Sequence, residues 1–423
     1  MRRRRFLALT ASSLAMGGCL DSSSRSDRQE SPVSGSGTST GRSGTDTVAD
    51  RDTSTERSGS VRWRAGIGGR IPIPAVGDGS VYAVSTSGID AFATADGRRR
   101  WSHSTPGSAW LGPALGDGAV YAAGDGTLAD FDAAGGEERW QRTWSDDASV
   151  ETMPVVGENA VFVGISGPSA STGRTGSTVP EDLWALDTDD GSRHWKRDLG
   201  GGDGTAGMLS GPPVLHDGTL YVQTRRGTVM ALDPSDGSDR WRRRFDGTSG
   251  MGGPTLVAEE DLLVVSAELR AGDRGRRWAL VALGTDGGSE RWRVTGIQTA
   301  PVSDGETVYG GEIGGTGGES TVVALSAADG SERWQFTKPG RLKTWSSLST
   351  AGETLYASFT ERTGRGDVND DDSTLYAVDP DGTEQWRFER RCEGFSRVAE
   401  SSDTVYVAGR YGDGALYALS PER

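Results

Sequence analysis

The sequence predicts an all-β fold, an eight-bladed propeller of four-stranded antiparallel blades. Three observations predict it. Tryptophan recurs with a glycine four residues before it, at Gly97/Trp101, Gly136/Trp140, Gly191/Trp195, Gly237/Trp241, Gly288/Trp292, Gly330/Trp334 and Gly382/Trp386. Short apolar runs separated by turn residues precede each of these glycines, with no room for crossover helices. The last unit ends without its tryptophan strand, and the first folded residues, Gly59-Ser60-Val61-Arg62-Trp63, supply one.

Each unit reads in the same order. The innermost strand is often opened by proline, as in Pro74-Ala75-Val76, Pro113-Ala114-Leu115, Pro213-Val214-Leu215 and Pro301-Val302. An acidic turn leads to strand two, as in Asp78-Gly79-Ser80-Val81-Tyr82 and Asp217-Gly218-Thr219-Leu220-Tyr221. A loop then leads to strand three, a second Gly turn follows, and strand four carries the tryptophan. Glycine supplies the positive φ that such tight hairpins need. The unit repeats every 38 to 55 residues, the size of a propeller blade. The final unit has Thr404-Val405-Tyr406-Val407 and Leu416-Tyr417-Ala418-Leu419, then stops at Arg423. The N-terminal strand is expected to complete this eighth blade and close the ring, which removes exposed sheet edges.

Before the propeller, residues 1–19 read as an export signal with a lipobox. Arg3 and Arg4 open an Arg-Arg-Arg-Phe-Leu segment of the twin-arginine type. The apolar stretch behind it is too short and too polar for a spanning helix. Ala15-Met16-Gly17-Gly18-Cys19 resembles a lipobox, with Met16 where Leu is usual; an ordinary cleaved signal is the other reading. Two acyl chains on Cys19 would form a durable tether. Residues 20–58 are Ser, Thr, Gly, Asp and Arg with few apolar side chains, so they cannot order themselves. As a coil they reach about 30–35 Å. The expected location is the outer face of the cytoplasmic membrane, held there by lipid alone. With Cys19 lipidated, Cys392 has no partner for a disulfide and reads as a small packed apolar residue.

Composition excludes some partners. The net charge is −15, from 60 acidic and 45 basic residues, which argues against nucleic acid. All basic residues except Lys196, Lys338 and Lys343 are arginine. Abundant Asp with Arg and little Lys fits a protein kept soluble at high salt; a GC-rich genome gives the same bias.

The pattern Ala-x-Asp-x-x-x-Gly-x-x-x-Trp, clearest at Ala185–Trp195 and Ala231–Trp241, resembles the tryptophan-docking motif of PQQ-type eight-bladed propellers. The match covers about residues 59–423. Ala93, Gly284 and Ser326 replace the Asp, and the turn before Trp386 is one residue short. The resemblance implies that Trp63, Trp101, Trp140, Trp195, Trp241, Trp292, Trp334 and Trp386 pack between blades, and that none is catalytic.

Function is then expected on one face. Three residues before the first strand stand Ile71, Trp110, Glu151, Ser210, Met251, Gln298, Trp345 and Phe395. This ring is a candidate channel mouth, read either as a pocket or docking ring or as plain channel filling. Long loops between strands two and three, at 166–180, 268–277, 312–319 and 360–373, fall on the same face and suit binding. In the last, Asp367, Asn369, Asp371 and Ser373 sit at alternate positions of a calcium-loop pattern. Asp372 stands where glycine is required and no Glu closes the loop, so a solvated acidic run is the competing reading.

No nucleophile elbow, His-Glu-x-x-His helix or phosphate loop occurs, and His103, His194 and His216 are scattered. PQQ alcohol dehydrogenases resemble this fold and hold Ca²⁺ on Glu and Asn beside an Asp base, over an adjacent-cysteine disulfide. This chain has no adjacent cysteines, and its asparagines are Asn159 and Asn369. Arg70, Arg341, Lys343 and Arg397 are basic residues near the mouth. The arrangement of anchor, linker and propeller resembles the BamB-like lipoproteins of the outer-membrane barrel-assembly machinery. The expectation is a non-catalytic, surface-anchored scaffold that binds another surface or membrane protein, with no cofactor. The alternative is a PQQ-dependent oxidoreductase acting on alcohols or sugars.

Overall fold

The computed structural model describes residues 59–67, 73–104, 111–144, 148–166, 181–199, 209–245, 247–249, 255–257, 261–270, 276–314, 318–343, 347–362, 371–410 and 414–420. Arg3, Arg4, Cys19 and the 20–58 linker lie outside them. Every described element is a strand, and the strands form eight sheets. Blade one shows the plan: Ala75–Gly77, Ser80–Ser85, Gly88–Ala93 and Arg99–His103, antiparallel and adjacent in chain order. The inner strands of blades eight and one, Ala399–Ser401 and Ala75–Gly77, lie against each other, so the ring closes. Ser60–Gly66 pairs antiparallel with Ala415–Ser420 and completes blade eight, as the sequence predicts.

Strands two and three are buried almost throughout, because both faces of each blade press on neighbours. Val81, Val161, Leu220, Leu263, Val308, Leu355 and Val405 are fully buried on strand two. The packing is therefore a stack of two-sided sheets, with the apolar clusters in the seams. A register shift recurs where strands three and four meet, after Ala91, Asp130, Ala185, Ala231, Ala282, Ala324 and Ala377. This bulge turns the tryptophan out of its own blade.

The tryptophan rings dock on the glycine turn of the next blade. A Cβ on Gly191 would sit 2.5 Å from Cε3 of Trp140, and Gly191 has φ +67°. Both facts require glycine there. Seven indole N–H groups donate to a carbonyl of the neighbouring turn: Trp63 to Thr94, Trp101 to Ala133, Trp140 to Thr188, Trp195 to Pro234, Trp241 to Thr285, Trp292 to Ala327 and Trp334 to Pro380. Trp386 docks across the chain ends, with its ring against Gly59, and its Nε1 is buried without a hydrogen-bond partner among the described residues. It is also the most buried of the eight, at 1% exposure. The aspartates of the motif cap these turns. Asp187 accepts the amide of Asp189 at 2.7 Å, and Asp233 that of Ser235 at 2.9 Å. Where Ala93 and Ser326 replace the first Asp, the second one still caps the turn: Asp96 and Asp329 accept the amides of Arg98 and Ser331, each at 3.0 Å, as Asp190 and Asp236 do those of Ser192 and Ser238.

Two expectations need amending. Much of what reads as loop between strands two and three is paired strand. In blade five, Leu262–Arg270 pairs with Arg276–Gly284, so Glu268–Arg270 and Arg276–Arg277 belong to a long hairpin. In blade seven, Thr360 pairs with Ser373 and Glu361 with Asp372. Charged residues on these stretches hid the strand character.

Candidate functional site

Strand direction divides the propeller into two faces. The hairpins joining strands one to two and three to four lie on one face, and the loops joining strands two to three lie on the other. The segments that enter each first strand share that second face. It is called the entry face below.

Of the eight candidate ring residues, Ile71, Trp110, Met251 and Trp345 lie outside the described residues. Of the other four, Glu151, Ser210 and Gln298 are held by their own blades, and Phe395 by the seam with its neighbour. Glu151 donates its amide to the Gly164 carbonyl at 2.9 Å, and its carboxylate accepts the Ser166 hydroxyl at 2.7 Å. Ser210 donates its amide and its hydroxyl to the Gln223 carbonyl, at 2.8 and 3.0 Å. Gln298 donates to Gly311 at 2.8 Å, and its side-chain oxygen accepts the Ile313 amide at 3.2 Å. Phe395 is 1% exposed, with its ring 5.6 Å from that of Phe388, so it fills the seam between blades seven and eight. The ring position serves to tie the entering segment to strand two.

The next residue reinforces this tie, a role that sequence reading missed. Thr152 and Thr299 accept the amides of Gly164 and Gly311 at 2.9 and 2.7 Å, and Ser396 accepts that of Ala408 at 2.9 Å. All are buried. The entry face therefore carries a layer of buried hydroxyls. In blades four and five this layer is incompletely paired. Gln223 donates to the Ser266 carbonyl at 2.9 Å, while Gln223 Oε1 and Ser266 Oγ have no partner.

Aromatic rings and cations stack where strand four reaches this face. Arg142 and Arg193 lie 5.1 and 5.3 Å from the Trp184 ring, with Lys196 at 5.4 Å and Trp144 edge-on at 5.6 Å. Lys338 lies 4.8 Å from both Phe336 and Tyr376, and Arg390 4.2 Å from Phe388. Phe336 and Lys338, and Phe388 and Arg390, are neighbours on one strand, and Arg193 and Lys196 reach Trp184 within its own blade; Arg142 and Trp144 on Trp184, and Lys338 on Tyr376, meet across blades. The rings Trp184, Phe336, Tyr376 and Phe388 are buried, so these stacks seat the cations and leave them, rather than the aromatic faces, at the surface.

Among the described carboxylates, Asp130 is the one whose pKa burial raises most. It stands where the other seven units have alanine: Ala91, Ala185, Ala231, Ala282, Ala324, Ala377 and Ala418. It is 1% exposed, neither oxygen has a hydrogen-bond partner, and burial raises its pKa to about 6. A substrate cannot reach it there. The alignment that defines the motif contains the signal for this residue; attention to the shared positions conceals the exception.

The histidines stay apart. His103 contacts the Ser104 carbonyl, His194 pairs with Asp187 at 3.2 Å and His216 with Asp217 at 3.4 Å. Lys343 pairs with Glu393 at 2.8 Å, the Arg341 backbone bridges to Thr360, Arg70 lies outside the described residues, and Arg397 is buried. Cys392 is fully buried, its Sγ 3.3 Å from the Gly394 carbonyl. Of the calcium-loop candidates, Asp371 is buried and its carbonyl accepts the Cys392 amide at 3.0 Å; Asp367 and Asn369 lie outside the described residues.

The donor set among the described residues does not fit a calcium–quinone group. Among the described residues no three His, Cys, Asp or Glu side chains converge. Asn159 lies in a hairpin on the far face, where its carbonyl contacts His194. Glu151 is engaged by Ser166.

The family model described as outer membrane protein assembly factor BamB matches residues 21–178, 180–276 and 248–369. The chain belongs to this family. Solved structures with the same fold include BamB from Moraxella catarrhalis, with 16% identity, TM-score 0.61, and coverage of 86% of this chain and 99% of that one. A quinohemoprotein alcohol dehydrogenase from Comamonas testosteroni matches at 14% identity and TM-score 0.60, covering 86% and 76%. The computationally designed Ika8 protein matches at 14% identity and TM-score 0.61, covering 86% and 99%. A comparison with curated proteins finds no significant match. One fold thus serves an assembly factor, a dehydrogenase and a designed chain, so membership of the BamB-like family leaves the function to the site.

Proposed function

We propose that this BamB-like propeller is a non-catalytic platform, tethered through lipid on Cys19, that docks another surface or membrane protein on its entry face. The observation that carries this reading is the state of the polar groups there. Glu151, Ser210, Gln298, Thr152, Thr299 and Ser396 are tied into backbone pairing, which stiffens the face and leaves no described cluster of acid, base and metal ligands. A rigid face with cations seated on aromatic rings is suited to protein recognition. The quinoprotein reading rests on shared fold with the alcohol dehydrogenase; the donor set speaks against it.

The test is a titration of the full-length chain with PQQ and Ca²⁺ at high salt, followed by tryptophan fluorescence and by dye reduction with alcohols and sugars. The expected result is no saturable quenching and no dye reduction. Micromolar binding with turnover would overturn the platform reading. Replacement of Cys19 by Ala is expected to release the protein from the membrane fraction; retention there would remove the lipid tether.

A further inference from the structure

Arg397 lies two residues before the inner strand of blade eight, Ala399–Ser401. It is 4% exposed, and its Nε and Nη1 are buried with no hydrogen-bond partner among the described residues. A guanidinium withdrawn from water carries a heavy cost unless acceptors take its protons. Such a group needs an explanation, because buried polar atoms are almost always paired.

The described neighbours in the repeat supply no acceptor. At the matching position the other described blades have Ile73, Gly112, Met153, Pro212, Ala300 and Ser347. These positions meet around the axis: a Cβ on Gly112 would lie 2.8 Å from the Ile73 carbonyl oxygen and 3.1 Å from Met153 Cε. The counterparts flanking Arg397 are therefore Ser347 and Ile73. Neither carries a charge, and the Ser347 hydroxyl already accepts the Lys343 amide. Ser396 accepts from Ala408 at 2.9 Å and donates to the carbonyl of Arg397 itself at 2.8 Å. Burial lowers the Arg397 pKa to about 10, and no carboxylate offsets that shift. The side chain is still a cation at neutral pH.

Access comes along the axis. The inner strands are only half-buried at Thr350, Ala351, Ala399 and Glu400, so solvent reaches the level just below Arg397.

We infer that Arg397 anchors a binding site for one monovalent anion, with a carboxylate the best fit, entered along the propeller axis. One positive charge in a poorly polar surrounding balances one negative charge, so a phosphate dianion would leave charge uncompensated. The planar guanidinium suits a carboxylate, which accepts two parallel N–H groups, better than a spherical halide. The site is independent of the platform reading, since it needs neither catalysis nor a protein partner.

The test is thermal unfolding of the full-length chain at constant ionic strength, with sulfate progressively replaced by acetate or by chloride. Arg397→Met is the main variant; it removes an unpaired charge at similar volume and is expected to melt no lower than wild type in sulfate. Acetate is expected to raise the wild-type midpoint relative to R397M in a saturable way. Arg397→Lys keeps the charge and loses the planar fork, so its response to acetate is expected to fall to its response to chloride. Equal wild-type responses to acetate and chloride, both absent in R397M, would identify a halide-type monoanion site and still support the inference. Line broadening of ¹³C-acetate by the wild-type chain gives a readout that does not depend on the variants folding. No broadening, together with identical acetate and chloride responses in wild type and R397M, would overturn the site and leave water as the only acceptor.

Discussion

The two faces of the propeller are built on opposite terms. On the turn face, one arrangement repeats: an Asp-capped turn, a left-handed glycine and a tryptophan from the neighbouring blade. On the entry face a hydroxyl contact repeats in three blades, but the side chain at the ring position changes from blade to blade among the described residues. Glu151, Ser210, Gln298 and Phe395 occupy one repeat position, and their side chains do four different things. The repeated tryptophan-on-glycine docking is confined to the first face, so the second is freer to diverge. A fold held from one side can change its binding surface without losing its ring.

The strongest way to break this comparison is on the turn face. Gly191→Ala is expected to cost at least about 2–3 kcal/mol, from the positive φ and the collision with Trp140 together. Denaturant unfolding checks it. A loss below about 0.5 kcal/mol, the range of ordinary surface substitutions, would mean that the docking turns are not the main staples.

Asp130 sharpens the comparison, because it is a defect inside a seam. Its pKa is raised in the folded chain, so the folded state holds a proton that the unfolded chain releases. The penalty is absent below pH 4 and grows as pH rises from about 4 to 6. With a shift of about two units, Asp130→Ala is expected to stabilise by up to about 3 kcal/mol at pH 7.5 and to be close to neutral near pH 4. A pH-independent difference between the two proteins would show that the carboxyl finds a partner in solution.

The smallest effect concerns the closing joint. Trp292→Phe leaves the Ala327 carbonyl without its donor, whereas Trp386→Phe removes an N–H that has no acceptor among the described residues. The first is expected to cost about 1 kcal/mol more than the second. Equal costs would mean that the eighth joint is bonded like the other seven.

Most of the fold was legible in the sequence, because blade docking demands the same chemistry every time. Gly four residues before Trp is a steric requirement, and the orphan strand at Gly59–Trp63 follows from counting tryptophans. The hairpin extensions were less legible, since Glu268–Arg270 pair as strand while looking like solvent-exposed loop. The candidate site was hardest to read. Spacing placed Phe395 and Glu151 at one level, but whether a side chain points to the axis or into a seam depends on the next blade, some 45 residues away. Asp130 and Arg397 are exceptions within the repeat, and their burial is decided by neighbours that the local sequence does not contain.

The division between the faces is tested most directly by photo-crosslinking in the native cell. A photoreactive residue would be placed at Gln298, Arg341 or Glu361 on the entry face, and at Asp96, Asp189 or Asp286 on the turn face. Gln298 is half-exposed and the other five are exposed. Discrete crosslinks to one membrane or surface protein from the entry-face positions, with none from the turn face, are the expected result. Crosslinks confined to the turn face, or evenly spread over both, would contradict the account.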